Sequence, residues 1–315
     1  MIGHSSVTVD CDVTPQFTAA YLRLAGDECA FIEAHTSHAV PKLLAALRAA
    51  GRAPESVRYV VVTHAHLDHA AGAGSLLAAC PNATLLAHPR AARHLIDPAK
   101  LIASATSVYG QARFAELYGT ITPIPAARVR ALEDGATFEL GGATLQVIHT
   151  AGHANHHFVV HDPALDAVYT GDAFGLVYPA LQSHGRFALA STSPTNFDAA
   201  EARKSLARIT GLKTRVACLT HFDAFADVDA IGAQVGAWVD RAEQWVDEAA
   251  RGDEPVDAMT SRLTRAWRDA IAAESDARGL GFGAAAFTQL SLDIELNAQG
   301  LAFVAAARRA GATKR

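Results

Sequence analysis

An apolar run that empties into four metal-capable side chains within six residues constrains this chain more than any other feature: Val60-Val61-Val62-Thr63-His64-Ala65-His66-Leu67-Asp68-His69. Val60 to Val62 reads as a buried strand. At its end, His64 and His66 stand two residues apart, point to one side and can offer two imidazole nitrogens to one ion. Asp68 and His69 fall on the turn into a helix, where they can face a second ion beside the first. A carboxylate that holds water, together with an open coordination position, belongs to catalytic metal sites and not to closed cages of thiolates.

The remaining composition narrows the class. A chain of 315 residues, 50% hydrophobic and 19% charged, suffices for one large domain plus an appendage. A formal charge of -5 and the lack of any Lys/Arg-dense tract argue against a nucleic-acid surface. Cys11, Cys29, Cys80 and Cys218 show no C-x-x-C pairing, so they read as small buried hydrophobes in a reducing compartment. The N-terminal MIGHSSVTVD has no basic segment followed by an apolar one, and no run approaches the roughly 18 apolar residues of a membrane span. A cytoplasmic location is expected.

Along the chain, 7–13, 20–24 and 29–34 are β-prone, with Gly26-Asp27 as a hairpin turn. Pro41, Leu43, Leu44, Leu47 and Gly51 mark a helix over 39–50, leading to a strand at 57–63. A helix at 70–79 and a strand at 84–87 follow, the strand ending in His88-Pro89, and 89–118 reads as a helical insertion near the site mouth. Strands at 129–132, 137–140 and 143–148 deliver the chain to His149-Thr150-Ala151-Gly152-His153. Strands at 158–161 and 167–170 end in Gly171-Asp172, and 215–219 ends in Thr220-His221. From Asp229 the pattern is helical: Ile231, Val235, Trp238, Ala242, Trp245 and Ala249 form one stripe, Met259, Leu263, Trp267 and Ile271 another, and the ends at 286–297 and 301–309 are helical too. Ser191 to Ser193 reads as a loop and helix cap.

Four strand ends thus carry a ligand-type residue, at His64/His66, His153, Asp172 and His221, and sheets place active sites where strand ends converge. These motifs resemble the metallo-beta-lactamase superfamily, whose signatures are matched by Thr63 to His69, His153, Asp172 and His221 over roughly residues 18 to 225. The resemblance implies an α/β fold, an αββα sandwich of two mixed sheets flanked by helices. It divides the chain into a catalytic domain over 1–228, with its insertion at 89–118, and a helical extension over 229–315. By the same resemblance His64, His66 and His153 would hold a first metal, Asp68, His69 and His221 a second, and Asp172 would bridge them. His66 separates the chain from the flavodiiron oxygen reductases, which have glutamate there. The T-P-G-H-T-x-G-H tract appears as Thr150-Ala151-Gly152-His153-Ala154-Asn155-His156-His157, with Ala151 for Pro and His156 for the second Gly. His157 then stands behind the ligands, and His88 is assigned a similar supporting position. The segments His88-Pro89, Leu95 to Pro98, Val108 to Gly110, Ser193 to Asp198 and Leu219 to Phe222 resemble those of stand-alone hydrolases of the superfamily.

A carboxylate-bridged metal pair acidifies water, so the nucleophile is solvent, with Asp68 as the residue that orients it and passes on its proton. No Gly-x-Ser-x-Gly elbow or phosphate-cradling loop competes with this scheme. The expected activity is hydrolysis of a small ester, thioester, lactone or related substrate. An iron-dependent oxidoreductase resembling the persulfide dioxygenases and a phosphodiesterase of the same fold are the alternatives. Two divalent ions are expected, zinc favoured over iron or manganese. Tyr178, His184 and Phe187 are expected to line the mouth, and the C-terminal helices to pack on the sandwich, cover the site or join two subunits.

Overall fold

The computed structural model describes residues 3–12, 15–192 and 197–312. Val13, which closes the first expected strand, and residues 193–196, which hold Ser193 and most of the Ser193-to-Asp198 segment, lie outside them. So do the side chains of Val108 and Tyr109. Two six-stranded sheets organise the described residues.

In the first sheet β1 (His4–Asp10), β2 (Ala19–Ala25), β3 (Glu28–Ile32), β4 (Val57–Val61), β5 (Thr84–Ala87) and β6 (Val129–Ala131) lie in chain order. The β1, β2 and β3 pairings are antiparallel, the β2–β3 turn being made by Gly26 and Asp27. From β3 to β6 the pairings are parallel, which requires crossovers of helical length. Those are α1 (Val40–Ala49) before β4, then α2 (Leu67–Ala70) and α3 (Ala73–Ala79) before β5. α4 (Pro89–Ile96), α5 (Ala99–Tyr109) and α6 (Gln111–Tyr118) precede β6, so the expected insertion is three helices. α1 opens with Pro41 in its first turn, stops before Gly51 and buries Leu43 and Leu47 completely in the core that also holds Leu22, Phe31 and Val60. Each such leucine stabilises the fold by about 1.5–3 kcal/mol.

The second sheet is built from β7 (Thr137–Leu140), β8 (Ala143–His149), β9 (Phe158–Asp162), β10 (Ala167–Leu176), β11 (Val216–His221) and β12 (Asp223–Phe225), in the spatial order β12-β11-β10-β9-β8-β7. β7 through β10 pair antiparallel, as do β11 and β12. The strand expected to stop at Thr170 continues to Leu176, because Ala173, Phe174 and Leu176 extend its apolar run, and Asp172 therefore lies inside a strand and not at its end. The sheets meet through Tyr21, whose hydroxyl donates to the Leu219 carbonyl at 2.6 Å and whose ring stands edge-on to Tyr169 at 5.3 Å. A fully buried Arg23–Asp162 ion pair ties β2 to β9.

The chain forms two compact units that interleave in sequence. The first holds residues 1–149, 156–171 and 212–226, and the second holds 150–155, 172–211 and 227–315. The second contains the end of β10 with α7 (Ala199–Gly211), α8 (Val228–Arg251), α9 (Val256–Arg278), α10 (Ala284–Gln289) and α11 (Ser291–Ala312). Its core stacks Trp238 on Trp267 at 5.3 Å, with Trp245 edge-on at 5.0 Å. The segments expected as two helical ends, 286–297 and 301–309, are instead largely one helix running through Gly300, held by the buried Ala298, Leu301, Ala302 and Ala305. No helix of the described residues is long and apolar enough to cross a membrane.

Candidate metal centre

The loop that follows β4 is tied down by its backbone. The Thr63 carbonyl accepts from the Phe158 amide at 3.0 Å, the Thr63 amide donates to Glu33 Oε2 at 3.4 Å, and the Ala65 amide donates to His156 Nδ1 at 3.4 Å. These bonds hold His64 and His66 with their rings 4.4 Å apart, and α2 then starts with Asp68 and His69 in its single turn. Leu67 between them is the floor of a small separate core made with Phe114, Ile121, Leu101 and Ile102, so α5 and α6 rest on the metal-motif loop itself.

The acceptors around each ring assign its protons. A carbonyl or carboxylate oxygen only accepts, so an imidazole nitrogen facing one must carry the hydrogen and its other nitrogen a lone pair. His221 Nδ1 faces the Phe17 carbonyl at 3.2 Å, and His69 Nδ1 faces Glu33 Oε1 at 3.2 Å. Thr63 Oγ1 donates to Glu33 Oε1 and so accepts from His64 Nδ1 at 3.0 Å. In the second unit His153 Nδ1 faces the Ser191 carbonyl at 3.3 Å. The His221, His64 and His153 rings are thereby set to offer Nε2 to an ion, the arrangement by which proteins orient metal-binding histidines, and His69 Nδ1 stands within ion-pair distance of Glu33 without a hydrogen bond to it.

Distances test the fit. Ligand atoms about 2.0–2.1 Å from one tetrahedral ion stand about 3.4 Å from each other. Asp68 Oδ2 is 3.5 Å from His69 Nε2 and 3.4 Å from His221 Nε2, within one unit. In the other unit Asp172 Oδ2 is 3.5 Å from His153 Nε2. A divalent ion fits both donor sets. Burial pushes the Asp68 carboxyl up, but the charge and Nε2–H bonds of His69 and His221 in their protonated forms outweigh it and hold it well below the usual carboxylate range, and a cation seated between the same three atoms acts in the same direction.

Glu33 was not legible as part of this site. It follows β3 with a φ of 70° and is 1% exposed, a backbone state that costs a non-glycine residue roughly 1–3 kcal/mol and clusters at functional positions. Its signal in the sequence is faint: an acid closing the apolar run Ala30-Phe31-Ile32. Glycines permit two close approaches, one on β10 and one in the loop after β8. A Cβ on Gly171 (φ 49°) would stand 2.5 Å from Thr63 Oγ1 and 2.6 Å from His157 Nε2, and one on Gly152 (φ 124°) would meet the Ala202 backbone at 2.4 Å.

Among the supporting residues, His157 is buried with its ring 4.8 Å from His64. His88 caps α4 by accepting from the Arg90 amide at 3.0 Å and packs 4.2 Å from His149, and burial with that neighbour lowers its pKa to about 4. Tyr178 and Phe187, expected at the mouth, are interior residues of the second unit. The Tyr178 hydroxyl donates to Asp293 Oδ1 at 3.1 Å, and Phe187 packs edge-on to Phe282 at 4.9 Å, because both side chains find apolar helices to bury against. His184 is exposed beside Ser183.

A two-sheet sandwich whose loop after a parallel strand presents H-x-H-x-D-H, with further His and Asp donors later in the chain, is a fold shared mostly by metal-dependent hydrolases. The chain belongs to the metallo-beta-lactamase superfamily, whose family model matches residues 13–221. It is 29% identical over 171 residues to the metallo-beta-lactamase fold-containing protein ST1585 of Sulfurisphaera tokodaii, an alignment covering 53% of this chain and 61% of that relative. The crystal structure of ST1585 superimposes with a TM-score of 0.65 over 95% of this chain and 98% of that one, at 21% identity. The family protein TTHA1429 of Thermus thermophilus gives 0.64 over 98% and 94%, at 19% identity. The subclass B3 metallo-beta-lactamase MEM-A1 from a soil metagenome library gives 0.53 over 75% and 92%, also at 19%.

Proposed function

We propose that this chain is a dinuclear metal-dependent hydrolase of a small ester, thioester, lactone or related substrate. The observation that carries the reading is the Asp68 carboxylate, 3.4–3.5 Å from the Nε2 atoms of His69 and His221, the spacing of ligand atoms on one ion, with the His221 Nδ1 proton held by the Phe17 carbonyl. In this reading His64, His66 and His153 would hold one ion, Asp68, His69 and His221 the other, and Asp172 would serve both. When bound, the ions supply Lewis acidity toward the substrate oxygen and acidify water toward neutral pH.

The residues do the rest. Asp68 accepts a hydrogen bond from the attacking water on an Oδ atom and passes that proton to the leaving group. Glu33 holds the tautomer of His64 through Thr63 and sets a negative charge 3.2 Å from His69 Nδ1, so the ligand atoms do not have to reorient during turnover. Leu67 and the apolar faces of α5 and α6 exclude water on the side of the metal loop that they cover.

Elemental analysis of protein purified without added metal, followed by a panel of esters, thioesters and lactones, tests this. About two ions per chain and turnover abolished by a chelator are expected. One ion per chain, or no turnover on the panel by the two-ion protein, overturns it, and oxygen uptake with glutathione persulfide would replace it with the oxidoreductase reading.

A further inference from the structure

We propose that the C-terminal helix α11 is part of the build of the metal centre. Asn297 grips the backbone on either side of Ser191, and Ser191 fixes His153 and Asp172 as a ligand pair. The inference rests on the functional reading above and adds two positioning residues to it, one of them beyond the residues 13–221 that carry the family match.

Ser191 is the hub. Its hydroxyl lies 3.1 Å from His153 Nδ1 and donates to Asp172 Oδ2 at 3.3 Å, and its carbonyl lies 3.3 Å from the same Nδ1. The His153 proton is thus shared between two acceptors of one residue, which fixes the ring plane as well as the tautomer. The hydroxyl proton goes to the carboxylate oxygen that stands 3.5 Å from His153 Nε2. One side chain therefore sets the relative position of two ligands that come from different sequence motifs, the task of outer partners in metal sites.

What holds Ser191 is α11. Asn297, 2% exposed, accepts from the Thr192 amide on Oδ1 at 2.7 Å and donates from Nδ2 to the Ala190 carbonyl at 2.9 Å. Its backbone carbonyl accepts from Thr192 Oγ1 at 3.2 Å. Both ends of one buried amide are spent on the two residues that flank Ser191. One helical turn earlier, on the same face, Asp293 accepts from the Tyr178 hydroxyl. The segment between Asp172 and Thr192 is consequently anchored to α11 at two points, and α11 is itself fixed by its buried stripe.

Zinc alone is the probe, titrated into the full chain freed of metal, in competition with a chromophoric chelator. Ser191→Ala is expected to weaken zinc binding by about 10–100-fold. Ser191→Thr, which restores the hydroxyl, binds close to wild type. Asn297→Ala weakens binding in the same direction, and the Ser191→Ala/Asn297→Ala double variant is no weaker than Ser191→Ala, because the two act in series. The metal-free melting temperature of Ser191→Ala stays at the wild-type value. Should Asn297→Ala not fold, Asn297→Asp keeps the Thr192 acceptor and removes the Ala190 donor, and is held to the same expectation. Wild-type zinc affinity in Ser191→Ala, failure of Ser191→Thr to restore it, or multiplying effects in the double variant overturns the inference while leaving the hydrolase reading standing. A wild-type chain that takes up no zinc overturns both.

Discussion

Glu33 Oε1 lies 3.2 Å from His69 Nδ1 and also accepts the hydroxyl proton of Thr63, which in turn accepts from His64 Nδ1. A single buried carboxylate thereby governs one histidine assigned to each ion. Its left-handed backbone at φ 70° is a local cost that the site's hydrogen bonds must offset.

Glu33→Gln tests that role with little change of shape. The amide accepts from Thr63 but carries no charge, so the His69 ring loses the negative group 3.2 Å from its Nδ1. Affinity for the second ion is expected to fall about 10–100-fold, read by competition titration, with far-ultraviolet circular dichroism unchanged. Wild-type affinity for both ions would reduce Glu33 to a packing residue.

Gly171→Ala should disturb the loop behind the ligands without touching a ligand. The added methyl would stand 2.5 Å from Thr63 Oγ1 and 2.6 Å from His157 Nε2, at a φ of 49° that alanine disfavours. A loss of about 2–4 kcal/mol is expected from the overlap and the backbone together. The urea midpoint reads it directly, and a midpoint equal to wild type would mean that Thr63 and His157 move aside freely.

Much of this was written in the residues. The H-x-H-x-D-H stretch, the strand-turn rhythm and the tryptophan stripe each follow from local patterns with a clear physical period, and they lead to the sandwich, the C-terminal helices and the candidate donors. Glu33 was hidden because its importance comes from a backbone angle and from partners 30 and 36 residues away, at Thr63 and His69. Tyr178 and Phe187 misled for the opposite reason: an aromatic in a polar loop looks like a surface feature until the helices that bury it are in place. Asn297 carries no motif at all, since one amide in a helix is mute until its two bonds to a distant loop are seen.

His88 gives stability a definite pH window. Burial beside His149 lowers its pKa from 6.5 to about 4, so the folded form binds the proton more weakly than the unfolded chain does. The stability it contributes is complete above about pH 6.5 and is lost progressively as pH falls toward 4, by at most about 3 kcal/mol. His88→Asn keeps an acceptor for the Arg90 amide at the start of α4 and removes the titration. Urea melts from pH 7 to pH 4 are expected to fall less steeply for that variant than for wild type. Parallel curves would show that His88 is protonated as easily in the fold as outside it.

Asp172 and His88 should separate ligand from support. In the proposed centre Asp172 is shared by both ions, its Oδ2 set against His153 Nε2 at 3.5 Å and against the Ser191 hydroxyl. Asp172→Ala is therefore expected to lose both ions. His88→Ala is expected to keep both, because the His88 ring is spent on capping α4 and on packing against His149. Binding to the folded state alone raises stability by about 2.7 kcal/mol at a free metal concentration 100 times the dissociation constant. A chelator should accordingly lower the melting temperature of wild type and of His88→Ala, and leave that of Asp172→Ala where it was. If Asp172→Ala retains one tightly held ion and still responds to the chelator, the carboxylate serves a single ion, and the two sites bind independently of each other.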